Sequence, residues 1–163
     1  MIDFFTLNSE DYVYRVRGGQ PVVGEINCLG AKNFLTKAMV AALLGNSPTK
    51  LTNVTNMGDI DITRYMLTSI NAKVDLTSDG TMTIDPANLD VSSVAQPPSG
   101  ANRIPILLLG ALLHRFEEVE VPVLGGCLIG ERKVDFHLEI IRQFGGYVEQ
   151  IETKFLAKRT NGT

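Results

Sequence analysis

The residue whose type and setting most suggest chemistry is Cys127, in the run Gly125-Gly126-Cys127-Leu128-Ile129-Gly130. Glycines on both sides let the backbone come close to a ligand. A helix is predicted to begin just beyond, near Val134, and Arg132 lies between. A helix N-terminus and a guanidinium both favour the thiolate, which suits a cysteine acting as nucleophile or proton donor. Most free cysteines are small buried hydrophobes instead. Cys28, in an alternating stretch, is read as one of those, in a strand and in the core.

Cations at helix starts come next. Gly30-Ala31-Lys32-Asn33 opens one predicted helix, and Ala101-Asn102-Arg103 opens another. Backbone N–H groups at a helix start, with a cation beside them, form a natural anion site. Arginine adds a bidentate fork suited to phosphate or carboxylate, and lysine a point charge. Arg132 is a third candidate of the same kind.

Other motifs fail on inspection. Gly125 and Gly130 imitate the spacing of a phosphate-binding loop, but Glu131-Arg132 stands where Lys-Ser/Thr is required. No G-x-G-x-x-G run is present. His114 and His137 are read as helix-packing residues, since no second ligand lies at metal spacing. Asp59, Asp61 and Asp135 fall at helix starts, where capping is the expected role.

Composition narrows the field. The chain has 163 residues, 44% hydrophobic and 20% charged, with a net charge of −3. These values exclude a disordered tail and a strongly basic nucleic-acid binder. With two cysteines and two histidines and no second His or Cys at metal spacing, neither a structural zinc site nor a disulfide framework is expected. The first residues lack a basic n-region, so a cytoplasmic protein without membrane or nucleic-acid partners is expected.

The elements that must position Cys127, Lys32 and Arg103 come in two copies. At an offset of 74, Ile60 falls on Val134, Met66 on Ile140, Leu67 on Ile141, Ile70 on Phe144 and Val74 on Val148. Upstream the offset is 70, with Ala31 on Ala101, Phe34 on Ile104, Ala38 on Leu108 and Leu43 on Leu113. The second copy has gained residues between these blocks, at the cysteine loop. Each copy reads as strand, helix, strand, helix, strand, strand. The first has strands over 22–29, 50–54, 73–76 and 81–84 and helices over 32–44 and 60–70. The second has helices over 102–116 and 134–144 and strands over 118–124, 147–151 and 155–158, with residues 95–100 as the joint. Asp79-Gly80 marks a hairpin turn.

The run from Ile104 to Leu113 is apolar on every face, as a helix buried on all sides must be; at this length it falls short of the ~20 residues that span a bilayer. The strands alternate instead, Val119, Val121 and Val123 against Glu118, Glu120 and Pro122, so each has one wet face. Helices inside and sheets outside define an inside-out α/β architecture.

Gly30-Ala31-Lys32-Asn33, Thr52-Asn53-Val54, Asp59-Ile60-Asp61 and the block from Gly125 to His137 resemble the UDP-N-acetylglucosamine 1-carboxyvinyltransferases, or UDP-GlcNAc enolpyruvyl transferases. The resemblance runs from about Tyr14 to the end. It implies an inside-out α/β barrel (prism) of the enolpyruvyl transferase type, of which this chain holds two βαβαββ units. It also implies transfer of the enolpyruvyl group of phosphoenolpyruvate to the 3′-hydroxyl of UDP-N-acetylglucosamine, the first committed step of peptidoglycan synthesis, with no cofactor. By the same resemblance Lys32 contacts phosphoenolpyruvate, Asn33 the sugar nucleotide and Arg103 the phosphate. Cys127 protonates or covalently captures phosphoenolpyruvate and is the fosfomycin target. Arg132 lies beside phosphate and nucleotide, and Lys133, Val134, Asp135 and Phe136 hold the uridine.

This chain departs from the family pattern at Leu29 (usually Ser), at Ile104-Pro105 (usually Ala-Ser) and at Lys133 (usually Pro). Proline in a first helical turn is harmless. The family has two lobes of three units each. The expected organisation is therefore an N-terminal segment, 1–24, that packs with the other lobe, and a partial lobe, 25–163, with units of approximately 25–90 and 95–163. Such a chain is expected to be inactive alone. Self-association, or pairing with a second lobe, is the expected partnership. A half-lobe turned non-catalytic binding or assembly module is the rival expectation.

Overall fold

The computed structural model describes residues 2–8, 11–19, 21–98, 100–125 and 133–160. An antiparallel hairpin of β1 (Ile2–Asn8) and β2 (Asp11–Val16) comes first, in register Ile2↔Val16 with an irregularity between Thr6 and Asn8. There follow α1 (Lys32–Ala41), a 3₁₀ turn (Ala42–Leu44), β3 (Thr49–Leu51), α2 (Gly58–Ser69), β4 (Lys73–Leu76) and β5 (Met82–Asp85). The second set is α3 (Pro105–Leu113), β6 (Glu118–Pro122), α4 (Asp135–Gln143), β7 (Gly146–Ile151) and β8 (Lys154–Arg159). The two three-stranded sheets have the same antiparallel order, β3-β5-β4 and β6-β8-β7.

Matching local chemistry ends the second helix of each copy. In α2, Asn71 adopts a left-handed φ of 65°, while Asn71 N–H donates to Thr68 O and Ala72 N–H to Leu67 O, both at 3.1 Å. These are the two bonds of a Schellman cap, with Leu67 and Ala72 both buried beneath it. In α4, Gly145 takes the left-handed place with φ 80°, and its N–H donates to Arg142 O at 2.9 Å. The Asp79-Gly80 turn forms as expected: Gly80 has φ 75°, and the Asp79 carboxylate accepts from the Thr77 hydroxyl and from Thr81 N–H.

The core lies between the helices and the inner faces of both sheets. Met82 and Ile84 of β5, Val119 and Val121 of β6, and Phe155 and Ala157 of β8 point inward with Met39, Leu43, Leu108, Leu109 and Leu112. The outer faces carry ion pairs, Glu118–Lys158 and Glu120–Lys154, each at 2.8 Å. Pro105 opens α3 at its first turn, where a missing N–H costs nothing. Arg115, just past α3, donates to the carbonyls of Leu43 and Gly45 at the end of the 3₁₀ turn, pinning the second copy to the first.

Glu120 also accepts from the Ser93 hydroxyl at 3.1 Å. Hydrogen bonds from Lys154 first, then Ser93, hold its carboxyl below its ordinary value of 4.5. A depressed folded pKa stabilises above the unfolded pKa, and the contribution is lost as pH falls through the folded value. Because the pair is more than a third exposed, its worth is about 0.5 kcal/mol. Glu120→Gln is therefore expected to lower urea stability slightly at about pH 6, and by progressively less as the pH falls below 4.5. A difference that does not shrink as the pH falls would mean that packing, not charge, carries the effect.

Several expectations need correction. Residues 22–29 form no strand, and Val22, Val23, Ile26, Leu29 and Cys28 are exposed. Alternation makes a strand only when backbone N–H and C=O groups find a ladder, and these residues have none. In the second copy a trace of such pairing survives upstream of the joint: Val94 N–H donates to Glu120 O and Glu120 N–H to Ser92 O, beside a parallel bridge of Ser93 to Glu120. The α3 helix is not buried all round, since Gly110 is exposed. His114 and His137 are exposed rather than packed.

The two copies also differ in how they cover their second helix. In α2, which lies against α1 and β4, Met66, Leu67 and Ile70 are fully buried. Their counterparts on α4 include Ile140 and Phe144, 55% and 77% exposed. α4 leans on β7 and only thinly on α3, leaving a groove of about 460 Å³ lined by Leu113, Ile140, Ile141 and Phe144. No helix among the described residues is long and apolar enough to cross a membrane.

Candidate functional site

The first turns of α1 and α2 and the residues leading into α3 converge on a cleft of about 500 Å³. Lys32, Asn33, Thr36 and Lys37 line it from α1, Gly58, Asp59 and Ile62 from α2, and Ala101, Asn102, Arg103 and Ile104 from the second copy. Sequence spacing explains the α1 wall, since residues 32, 33, 36 and 37 share one helical face. The two cations singled out at equivalent helix starts, Lys32 and Arg103, thus meet in one cleft.

Gly30 sets where α1 begins. A Cβ there would run into the carbonyl oxygen of Asn53, so only glycine lets the two backbones approach. Asn53 has a left-handed φ of 57° and its side-chain amide donates to Cys28 O at 3.5 Å. This contact brings the start of α1 against the connection between β3 and α2, and hence Lys32 beside Asp59.

The charges are arranged unevenly. Lys32 Nζ pairs with Asp59 Oδ2 at 2.9 Å, both half-exposed. Lys37 Nζ donates to Asn33 O at 2.9 Å. Arg103 Nη2 donates to Lys133 O at 3.4 Å. Three cations face one carboxylate, so the cleft favours an anion. A pair as exposed as Lys32–Asp59 adds little stability; its effect is to orient the ammonium. Among the described residues no cluster of three or more histidine, cysteine, aspartate or glutamate side chains could hold a metal ion.

The capping role expected of the acidic residues is not seen. Neither α2 nor α4 has a side-chain cap. Asp59 is the second residue of α2, inside the helix, where its carboxylate reaches across to Lys32. Asp61 pairs with Arg64 at 3.5 Å, and Asp135 is the first residue of α4. All three still sit in first turns, where the helix dipole favours them.

Cys127 and Arg132 lie outside the described residues. Both flanks of that stretch are described. Gly125 N–H donates to Asn102 O at 3.0 Å, with no room for a Cβ beside Ala101, and Lys133 O accepts from Arg103. Gly125 and Lys133 are thus each tied to a residue of the cleft lining, Asn102 and Arg103. Val134, Asp135 and Phe136 begin α4 beyond the cleft lining, with Phe136 exposed.

Sequence reasoning missed three contributors. Asp59 was assigned to a cap because helix starts are imprecise by a residue or two. Lys37 could have been found from its i,i+4 spacing to Asn33. Asn102 is buried and hydrogen-bonded on every side. Its signal was the copy register, which places it opposite Lys32.

A family model described as EPSP synthase (3-phosphoshikimate 1-carboxyvinyltransferase) matches residues 16–160. The chain is 40% identical over 139 residues to the UDP-N-acetylglucosamine 1-carboxyvinyltransferase of Protochlamydia amoebophila, covering 84% of this chain and 30% of that protein. It is 39% identical over 142 residues to the enzyme of the same name from Chlamydia pneumoniae, covering 85% and 31%. In structure it is similar to the enolpyruvyl transferase NikO from Streptomyces tendae. The TM-score is 0.68 at 16% identity, over 88% of this chain and 31% of that one; at that identity the likeness speaks for the fold. The chain spans about a third of the length of the curated relatives it matches.

Proposed function

Because the chain belongs to the EPSP synthase family, we propose that it carries the phosphoenolpyruvate side of a UDP-N-acetylglucosamine enolpyruvyl transferase site. The reaction moves the enolpyruvyl group to the 3′-hydroxyl of UDP-N-acetylglucosamine and releases phosphate, in the cytoplasm, as the first committed step of peptidoglycan synthesis. One observation carries the reading: Lys32 and Arg103, from the equivalent helix starts of two copies, line one cationic cleft. A ligand bearing both phosphate and carboxylate matches a point charge and a fork on opposite walls.

In this reading Lys32 and Arg103 hold phosphoenolpyruvate, and Asn33 contacts the sugar nucleotide. Cys127 is the acid or nucleophile and the fosfomycin target. Arg132 serves the phosphate, and Lys133, Val134, Asp135 and Phe136 the uridine. The Lys133 carbonyl beside Arg103 supports a nucleotide side that adjoins the phosphate side. Residues 1–24 form a separate segment, and 25–163 a partial lobe with units of approximately 25–90 and 95–163.

The test is mass spectrometry of the purified chain with phosphoenolpyruvate and UDP-N-acetylglucosamine, with Cys127→Ser as control. The expected result is an adduct on Cys127 with the mass of intact phosphoenolpyruvate, its thiol added across the enol double bond, and no transferred product. Peptide mapping is needed because exposed Cys28 has no burial to protect it. Absence of both adduct and ligand binding would overturn the reading. Product from the chain alone would overturn its expected inactivity.

A second reading, an assembly module, draws on the exposed Phe136, Ile140 and Phe144 of α4. Sedimentation separates the two: a discrete oligomer without an adduct favours assembly, and a monomer with an adduct favours the transferase site.

A further inference from the structure

We propose that Asn102 is the positioning residue of the cleft: by locking the first turn of α2 to the start of α3, it sets the separation of Lys32 and Arg103. The inference rests on the anion-binding reading above and deepens it, because it names what makes two separate cations act on one ligand.

The copy register puts Asn102 opposite Lys32 and Arg103 opposite Asn33. The two copies therefore use these positions in reverse. In the first, residue 32 faces the cleft with a half-exposed ammonium. In the second, the equivalent Asn102 is turned inward, 6% exposed, and the next residue brings the cation. An amide at this depth needs partners, since an unsatisfied buried polar group costs more than a hydrogen bond returns. Asn102 has them. Its Nδ2 donates to Thr63 Oγ1 at 3.3 Å and lies 3.5 Å from Asp59 O. Its Oδ1 accepts from Ile104 N–H at 3.0 Å, and its own carbonyl accepts from Gly125 N–H at 3.0 Å.

Each partner bears on the site. Asp59 is the residue that orients Lys32. Thr63, fully buried, donates to Asp59 O at 2.7 Å, so the amide and the hydroxyl brace the same turn of α2. Ile104 N–H fixes the path of the chain as it leaves Arg103. One side chain thus spans the boundary between copies at the point where a cation stands on each side. Like charges do not hold themselves together, so a scaffold must set their spacing before a ligand arrives.

A ligand with two anionic groups feels that spacing, and a ligand with one does not. The experiment is calorimetric titration of the full chain with phosphoenolpyruvate and, separately, with inorganic phosphate. Thr63→Val removes Asn102's partner from outside the cleft lining and leaves every charge unchanged. Asn102→Ser keeps a short acceptor for Ile104 N–H but cannot reach Thr63. Each is expected to weaken phosphoenolpyruvate about tenfold, the effect of one well-oriented hydrogen bond, and phosphate less than about twofold, with wild-type circular dichroism. Thr63→Ser, which retains the hydroxyl, is expected to restore the wild-type ratio of affinities. An unchanged ratio in Thr63→Val, or an equal loss for both ligands, would overturn the inference while leaving the anion site intact. A wild-type chain that binds neither ligand would overturn the anion reading and this inference with it.

Discussion

Arg103→Met is expected to weaken phosphoenolpyruvate binding to the chain by roughly ten- to a hundredfold, the usual worth of charge-assisted hydrogen bonds at ~1.5–3 kcal/mol. The reason is geometric as much as electrostatic. Arg103 is part-buried, and one arm of its fork already donates to Lys133 O, so the guanidinium is oriented before a ligand binds. Lys32 is half-exposed and shares its charge with Asp59, so Lys32→Met should cost less. Arg103→Lys should recover only part of the loss, since an ammonium keeps the charge and not the fork. Calorimetric titration at low and moderate salt checks the series. If Arg103→Met binds like wild type, the cleft is not the anion site.

The second large effect is on stability. Leu109 is fully buried in the middle of α3, the helix that touches α1, β6 and β8. Leu109→Ala is expected to cost about 3 kcal/mol, transfer term and cavity term together. For a domain of this size that corresponds to a fall of roughly 6–12 °C in Tm. Ile140→Ala, on the exposed face of α4, is expected to change stability by less than about 0.5 kcal/mol. Urea unfolding monitored by circular dichroism compares them. Equal costs would mean that the helix between the sheets is not the centre of the core.

The fold was legible where periodicity and turn chemistry agreed. The order of α1 to α4, the two copies and the turn at Asp79-Gly80 all followed from spacing, because burial on one face leaves a pattern that survives in sequence. The strand expected over 22–29 failed for the opposite reason. Its alternation was real, but a strand is made by a neighbour, and residue spacing says nothing about whether one is present. The β1–β2 hairpin went unread because the sequence between its two strands, Ser9-Glu10, lacks the Asn-Gly or Asp-Gly signal.

The cleft was half legible. Lys32 and Arg103 stood out because cations at two equivalent helix starts form a pattern. Asp59 and Asn102 did not, because the same residue types serve as caps and turns far more often than as braces. What separates those roles is a contact between residues far apart in sequence: Asp59 with Lys32, 27 positions apart, and Asn102 with Thr63, across the copies and 39 apart. No local pattern records such distances.

The uncovered face of α4 gives the chain's stability a dependence on its surroundings. Whatever binds the native state along Ile140 and Phe144, and not the unfolded chain, adds RT ln(1 + [L]/Kd) to the unfolding free energy. The equivalent positions on α2 are already satisfied from within the chain and offer no such linkage. In the presence of any species that covers that helix, a melting temperature for this protein is fixed only when the concentration of that species is fixed.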